Sequence, residues 1–498
     1  MNNVPLDVIR EFFYHLISAD GPQGPWPDTL RTKQDLAACT LVSRTWRLLA
    51  QPYLFRDIHY SYMNPTDDSA YGQIVETRGR WIASASYSTR KWLPRKTFTM
   101  FCDFLKQSPN LAGHIRRLVL TPAYPSILPA LAGANVAPVS IASFNALLQL
   151  LPQLRKLSLI NFTLDAPAEF HFHPPSGVPS LVQLDMINDS PKLGIAILAG
   201  VLGCFSAIGK LRLMGMDMPM GYSPFRFDPP PESEPTGLVP AYPVRVQHFI
   251  LGAAEPQVYM GVLTRFIHLE GVRSLRVMPC PNPWLYESLI GACGPSLEEL
   301  TLFFAGDDLL FKATPKPLPV PSIAPCRNLR RLTLITSVGP AEALSASPDN
   351  PRDERSPKEL LQEQLAPVTT LLAKADGLRR ASFPHFSALA FRIDVGLHGF
   401  AGGTRQVVLG DVPCEGAADR LDAILYELAR ELPEGKIPFV FMDMTMPGQR
   451  PGEHSDGSGP EGERVVGGEM FLGRLFPRLK AHGMIEVGGV SSEFPDYQ

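Results

Sequence analysis

The sequence has few cysteines and no close pair of them. Seven cysteines are scattered over 498 residues, at positions 39, 102, 204, 280, 293, 326 and 414. An odd, scattered set with no CxxC pair indicates neither a disulfide framework nor a zinc site. We therefore expect a reducing compartment.

The chain also lacks an excess of charge and a long apolar run. Its 46 basic and 49 acidic residues give a net charge of −3, which provides no overall attraction to nucleic acid or to anionic membranes. The N-terminus carries Asp7, Arg10 and Glu11, so no apolar signal core is present. The longest apolar stretch, residues 193–209, contains four glycines and is shorter than the roughly 20 residues of a membrane helix. We interpret it as a buried helix, and we expect a soluble intracellular protein that binds neither membrane nor nucleic acid.

Motifs of known chemistry are missing as well. There is no GxSxG, no HExxH, no paired-carboxylate motif and no glycine-rich phosphate loop. His171 and His173 would share one face of a strand, but only Glu169 lies nearby to complete a metal site. We predict no catalytic residue, no cofactor and no metal.

Proline, in contrast, is abundant. It accounts for 50 of 498 residues, about twice the usual share, while apolar residues make up 45%. Because long helices and central strands tolerate proline poorly, we expect a sizeable core built from many short elements. Composition predicts long loops at residues 223–243, 313–325, 339–357 and 447–464.

A repeated pattern runs through the chain. Its six positions read apolar-x-x-apolar-x-apolar, and five of the nine spacings between first positions are 25 to 27 residues. The clear copies are Ile115-Leu118-Leu120, Leu154-Leu157-Leu159, Leu181-Leu184-Met186, Ile208-Leu211-Leu213, Val246-Phe249-Leu251, Val272-Leu275-Val277, Leu297-Leu300-Leu302 and Leu329-Leu332-Leu334. Weaker copies are Leu378-Ala381-Phe383 and Thr404-Val407-Leu409.

Helix-like stretches precede these copies. They are residues 143–151, 194–205, 258–268, 284–292, 358–375 and 417–432, in which apolar residues recur every three or four positions. A strand and a helix that alternate in this way predict an α/β fold, a curved strand–helix solenoid with a parallel sheet inside and helices outside. Over roughly residues 97–498 the pattern resembles the leucine-rich repeat. Only Cys280 matches the Asn or Cys that the family has at the ninth motif position, so the repeats are degenerate.

The first sixty residues predict three short helices. Pro5 suits a helix start, residues 18–32 read as a Gly/Pro-rich loop, and Asp35 and Ser43 are candidate caps of two further helices. This segment resembles the F-box. The matching residues are Val4-Pro5-Leu6, Val8, Ile9, Leu16, Asp35-Leu36, Leu41-Val42-Ser43-Arg44, Trp46-Arg47 and Leu54-Phe55-Arg56.

The resemblance implies a partner and a role. F-box segments dock on the Skp-type adaptor of SCF (cullin–RING) ubiquitin ligases, in the cytoplasm or nucleus, and the repeats behind them capture the substrate. The F-box resemblance implies that the adaptor-binding residues are Pro5, Leu6, Val8, Ile9, Leu36, Leu41, Val42 and Trp46. Each of them is equally compatible with the small helical core, because buried and interface apolar residues look alike in sequence.

Basic residues crowd the motif positions that would face away from the core. Thirteen of thirty such positions are basic and three are acidic. We predict that this concave face binds an acidic or phosphorylated protein substrate through Arg117, Lys156, Arg212, Arg276, Arg330, Arg331, Arg379 and Arg380. The alternative is that these side chains only solvate the start of each strand.

Three segments therefore organise the chain: an F-box at 1–60, a basic and aromatic insertion or linker at 61–96, and the repeat domain at 97–498. Basic and aromatic residues alternate at 78–96, a pattern that occurs in nucleic-acid binding, but a solvated insertion fits the net charge better. The predicted function is a substrate receptor of a cullin–RING ligase. One alternative is a leucine-rich-repeat scaffold that binds proteins without any ligase. A second is a solenoid with a catalytic site that no sequence motif reveals.

Overall fold

A computed structural model of the chain describes residues 26–62, 97–122, 139–165, 180–188, 195–215, 243–252, 263–277, 283–304, 320–338, 357–375, 378, 381–396, 407–408, 414–444, 465–466 and 468–488. The segments at 1–25 and 63–96 and the insertion at 447–464 lie outside these residues.

The fold is α/β, built on one parallel sheet of thirteen strands. Its strands are β1 Asp57–Tyr62, β2 Arg117–Pro122, β4 Lys156–Ile160, β6 Leu181–Asn188, β7 Ala207–Gly215, β8 Val244–Gly252, β9 Ile267–His268, β10 Ser274–Val277, β11 Glu299–Phe304, β12 Arg331–Val338, β13 Ala388–Gly396, β15 Ile437–Met444 and β17 Ile485–Gly488. They follow one another across the sheet in chain order, except that β9 pairs only with β8. Two small sheets pair β3 Val139–Ser140 with β5 Leu164–Asp165, and β14 Val407–Val408 with β16 Val465–Val466.

Helices lie between most of the strands. They are α1 Trp26–Val42, α2 Arg44–Leu54, α3 Phe98–Gln107, α4 Pro109–Ala112, α5 Ile141–Leu150, α6 Ile195–Leu202, α7 Pro283–Cys293, α8 Pro357–Lys374, α9 Asp419–Glu431, α10 Gly468–Leu475 and α11 Pro477–Ala481. No helix in the described ranges is both long and apolar enough to span a membrane. The predicted α/β class and the alternation of strands with helices are confirmed.

The repeated apolar positions form the core because they lie in register. Leu118, Leu157, Leu184 and Leu211 are partners on successive strands, and each is fully buried. Side chains alternate between the two faces of a strand, so the fourth and sixth motif positions face the helices. The first position, three residues before the fourth, is buried as well. The intervening third and fifth positions face the other side of the sheet, here called the open face.

The two weaker copies of the pattern were wrong as strands of the main sheet. Leu378 and Phe383 are buried, but turns follow Leu378, and the strand is β13, which carries Leu389 and Phe391. Val407 lies in β14, which pairs with β16 in a separate small sheet. The strands β15 and β17 were not predicted.

The helices before β1 differ from the prediction at one cap and agree at the other. Asp35 does not cap a helix; it is exposed in the middle of α1, because no glycine or proline interrupts residues 28–42. The predicted loop at 18–32 therefore gives way to helix from Trp26 onward. Ser43 does cap α2, where its side-chain oxygen accepts a hydrogen bond from the Trp46 backbone N–H at 3.2 Å.

Close contact between neighbouring repeats is visible at the end of α7. A Cβ added at Gly294 would lie 2.7 Å from the Cβ of Pro325, whereas a Cβ at Gly291 would meet nothing within 4 Å. We expect Gly294→Ala to lower the free energy of unfolding by about 1–3 kcal/mol through overpacking. Gly291→Ala, three residues earlier and inside α7, should raise it by up to about 1 kcal/mol because alanine favours helix. Urea denaturation of both variants checks this, and equal effects would contradict the packing.

Candidate functional site

The helices α1 and α2 pack against each other around a small core of their own. Leu36, Cys39 and Ala50 are buried there, with Trp46, Leu49 and Leu54 packed against them. This cluster is separate from the large core that unites the strands and helices from β1 onward. The connection is also tied by a hydrogen bond at 3.2 Å, which the Arg47 guanidinium donates to the Thr40 carbonyl near the end of α1.

Apolar side chains remain on the outside of this helix pair. Leu41 is 80% exposed, Leu48 is 62% exposed and Val42 is 52% exposed. Scattered exposed apolar residues are ordinary, but these three lie within eight residues of one another, on both sides of the link between the helices. We name Leu41, Val42 and Leu48 the apolar link patch. Exposed apolar side chains that are grouped in the chain, and not scattered singly, are candidate contacts for a partner.

The predicted adaptor-binding residues differ in their exposure to solvent. Leu41 and Val42 lie on the surface, Leu36 is buried in the small core at 2% exposure, and Trp46 is half-buried against that core. Leu48 was not predicted, because no motif position pointed to it. Pro5, Leu6, Val8 and Ile9 lie outside the described residues.

The predicted substrate residues are spread along the open face and its edge. Arg117, Lys156 and Arg331 occupy the third motif position and are exposed, and Arg330 is exposed at the second position. Arg212 and Arg276 occupy the fifth position and are half-buried. Arg379 and Arg380 lie outside the described residues.

Near β11 and β12, glutamates accompany the arginines. The carboxylate of Glu298 lies 4.0 Å from Arg273 and 3.8 Å from Arg330, and that of Glu299 lies 4.0 Å from Arg331. These exposed pairs contribute little to stability. They do, however, offset much of the positive charge predicted for Arg330 and Arg331.

A carboxylate also stands beside Arg212. Asp185, its partner in register, is 8% exposed. It accepts hydrogen bonds from the Ser158 hydroxyl at 3.1 Å and from the Gln183 amide at 2.9 and 3.0 Å. A buried carboxylate needs such partners. The basic character of the open face is therefore interrupted at this point as well.

Around β1, β2 and β4 acidic side chains are fewer: Asp57, the register partner of Arg117, is the one acid at the second and third positions of these strands. Arg56, Arg116 and Arg155 occupy successive second positions, and Arg117 and Lys156 are partners at the third. All five are exposed. In this described part of the sheet, no ion pair involves them.

Four buried cysteine thiols are not activated as nucleophiles. Burial raises the pKa of Cys204, Cys293 and Cys326 to about 12 and that of Cys414 to about 11. These four thiols stay protonated at neutral pH, whereas a nucleophilic cysteine needs a lowered pKa. No group of three or more His, Cys, Asp or Glu side chains that could hold a metal ion occurs in the residues that the structure describes. His171 and His173 lie outside them.

No protein-family model matches the chain, and no curated protein matches it in sequence. The functional argument therefore rests on the residues themselves, on the apolar link patch and on the basic side chains of the first strands.

Proposed function

We propose that the chain is the substrate-recognition subunit of an SCF-type (cullin–RING) ubiquitin ligase. The observation that carries the proposal is the apolar link patch, displayed by a helix pair with its own core directly before a strand–helix repeat domain. The F-box resemblance of the same residues supplies the partner, a Skp-type adaptor. The leucine-rich-repeat resemblance supplies the second half of the role, capture of a protein target.

The division into two cores supports such a role. The helix pair can present its surface to one partner while the repeats present another surface to a second, because each is packed around its own apolar cluster. The chain continues from α2 to β1 through only Phe55 and Arg56, so the helix pair is held close to the sheet. A target on the repeats would then stay near the ligase.

The mechanism is proximity rather than catalysis by this chain. Holding a target beside a ubiquitin-loaded enzyme raises the effective concentration of its lysines. No catalytic residue of this chain takes part in that mechanism, and no cofactor or metal is needed.

The adaptor interaction provides the test. In a pull-down with the full chain, we expect the double variant Leu41→Ser/Leu48→Ser to bind a Skp-type adaptor at least tenfold more weakly, as expected for loss of interface apolar anchors. Both side chains are exposed, so folding should persist and circular dichroism should be unchanged.

The matched control is Val182→Ser/Met470→Ser, which removes two apolar side chains that are each 53% exposed elsewhere. It should bind the adaptor like the unchanged chain. If the unchanged chain does not bind the adaptor, the ligase role is wrong and a ligase-independent scaffold is the remaining interpretation. If the patch variant binds equally well, the apolar link patch is not the adaptor surface.

A further inference from the structure

In neighbouring strands, the backbone carbonyl at the second motif position accepts hydrogen bonds from two consecutive N–H groups of the next strand. We call this arrangement a ladder, and it places the second motif positions of neighbouring strands side by side. The Arg56 carbonyl accepts hydrogen bonds from the backbone N–H groups of Arg116 and Arg117, at 2.8 and 3.0 Å. The Arg116 carbonyl does the same for Arg155 and Lys156, at 2.8 and 2.9 Å. The three arginines at the second position, Arg56, Arg116 and Arg155, are therefore neighbours at the strand spacing of about 4.8 Å. We call them the arginine triplet.

The same ladder recurs across β10, β11 and β12, but a different type of residue occupies its central second position. The Arg273 carbonyl accepts from Glu298 and Glu299 at 2.8 and 2.9 Å, and the Glu298 carbonyl accepts from Arg330 and Arg331 at 2.8 and 3.0 Å. Here the central second position is Glu298, whose carboxylate lies between Arg273 and Arg330. The equivalent central position of the arginine triplet is Arg116.

The two places differ in charge although their backbones match. The second and third positions of β1, β2 and β4 carry five basic residues and one acid, Asp57, for a net charge of +4. Those of β10, β11 and β12 carry three basic and two acidic residues, for a net charge of +1. Like charges on adjacent strands repel one another, a cost that an anion between them would offset.

We propose that the arginine triplet, with Arg117 and Lys156 beside it, binds an acidic segment of a partner protein. Side-chain carboxylates of that segment take the place that Glu298 holds in the equivalent ladder, and guanidinium groups suit them through paired hydrogen bonds. The inference rests on the proposed function in that the partner is the target held by the repeats. It assigns the target site to the first strands of the sheet and not to Arg330 and Arg331.

Nucleic acid fits the same surface less well. Binding of single strands relies on exposed aromatic rings on which bases stack. In β1, Tyr60 and Tyr62 pack on the core side, where Tyr60 stacks on Phe101 with ring centroids 4.2 Å apart. The triplet also spans only two strand spacings, about 10 Å, which is short for tracking a phosphate backbone.

The test uses two single variants of the full chain, Arg116→Glu and Glu298→Arg. Each variant places in one ladder the central residue of the other. The probe is fluorescein-labelled decaglutamate, followed by fluorescence anisotropy at low and at physiological salt. We expect Arg116→Glu to weaken binding about tenfold, because it both removes a cation and pairs with Arg56 and Arg155. Glu298→Arg, which creates a second triplet, should strengthen binding, and all binding should weaken as salt rises.

Three results would overturn the proposal. They are no measurable binding of decaglutamate by the unchanged chain, equal binding by the Arg116→Glu variant, and displacement of the peptide by oligothymidylate of equal charge at lower concentration than by unlabelled decaglutamate. If Arg116→Glu fails to fold, Arg116→Gln provides the same comparison, with a smaller expected loss. Adaptor binding by the Arg116→Glu variant should be unchanged, so failure of this inference is distinguishable from failure of the ligase role.

Discussion

Replacing Phe439 with alanine is expected to lower the free energy of unfolding by about 3–5 kcal/mol, the usual cost of emptying a large aromatic site. Phe439 is fully buried in β15. Its ring centroid lies 5.2 Å from that of Phe391 in β13 and 5.4 Å from that of Phe476, between α10 and α11. The substitution therefore removes contacts to the preceding strand and to the last helices at once.

Two further variants make this measurement specific. Phe439→Leu retains part of the apolar volume and should lose clearly less stability than the alanine variant. Val487→Ala, on the final strand and 41% exposed, should change the free energy of unfolding by less than about 0.5 kcal/mol. Guanidinium denaturation provides all three values. If Phe439→Ala behaved like Val487→Ala, the packing of the C-terminal strands described here would be wrong.

The second large effect is expected at Asp422. This carboxylate in α9 is 1% exposed and accepts hydrogen bonds from the backbone N–H groups of Arg478 at 2.9 Å and Leu479 at 3.2 Å. Both donors lie in the first turn of α11, where the helix itself offers no acceptor. We expect Asp422→Ala to cost about 2–4 kcal/mol, because a buried donor left unpaired costs more than an ordinary hydrogen bond.

The neighbouring acid offers the matched control for this variant. Asp419 lies in the same helix and is exposed, so Asp419→Ala should change stability little. Asp422→Asn, which keeps one acceptor oxygen, should fall between the two. Urea denaturation followed by circular dichroism measures the free energy of unfolding of all three variants. An Asp422→Ala variant as stable as the Asp419→Ala variant would contradict a capping role for this carboxylate.

The repeated strands of the sheet could be predicted because their signal is local and recurs. Each copy such as Leu329-Leu332-Leu334 buries all three apolar residues, and alternation within the strand places the last two on one face. The prediction failed where that signal weakens. At Leu378-Ala381-Phe383 two buried apolar residues imitate the motif, but the strand lies several residues later, where Phe386, Leu389 and Phe391 are buried.

The candidate sites were less predictable than the fold. Leu36 and Leu41 lie in one helix and are equally apolar, yet one is buried and the other is 80% exposed. The packing of α2 against α1 decides which is which, and only the structure shows that packing. Asp422 carried no sequence signal, because its partner helix lies 56 residues farther along the chain.

By itself, the amino-acid sequence determined the α/β class, the repeated strands and the cap at Ser43, because each depends on the spacing of neighbouring residues. Only the tertiary structure decided which arginines have a carboxylate close to their positive charge. Arg116 and Glu298 occupy equivalent positions, but their neighbours belong to strands that are far apart in the chain. Register between those strands places Glu298 between two arginines and leaves Arg116 between two others, and electrostatic energy depends on these distances in space rather than on distance along the chain.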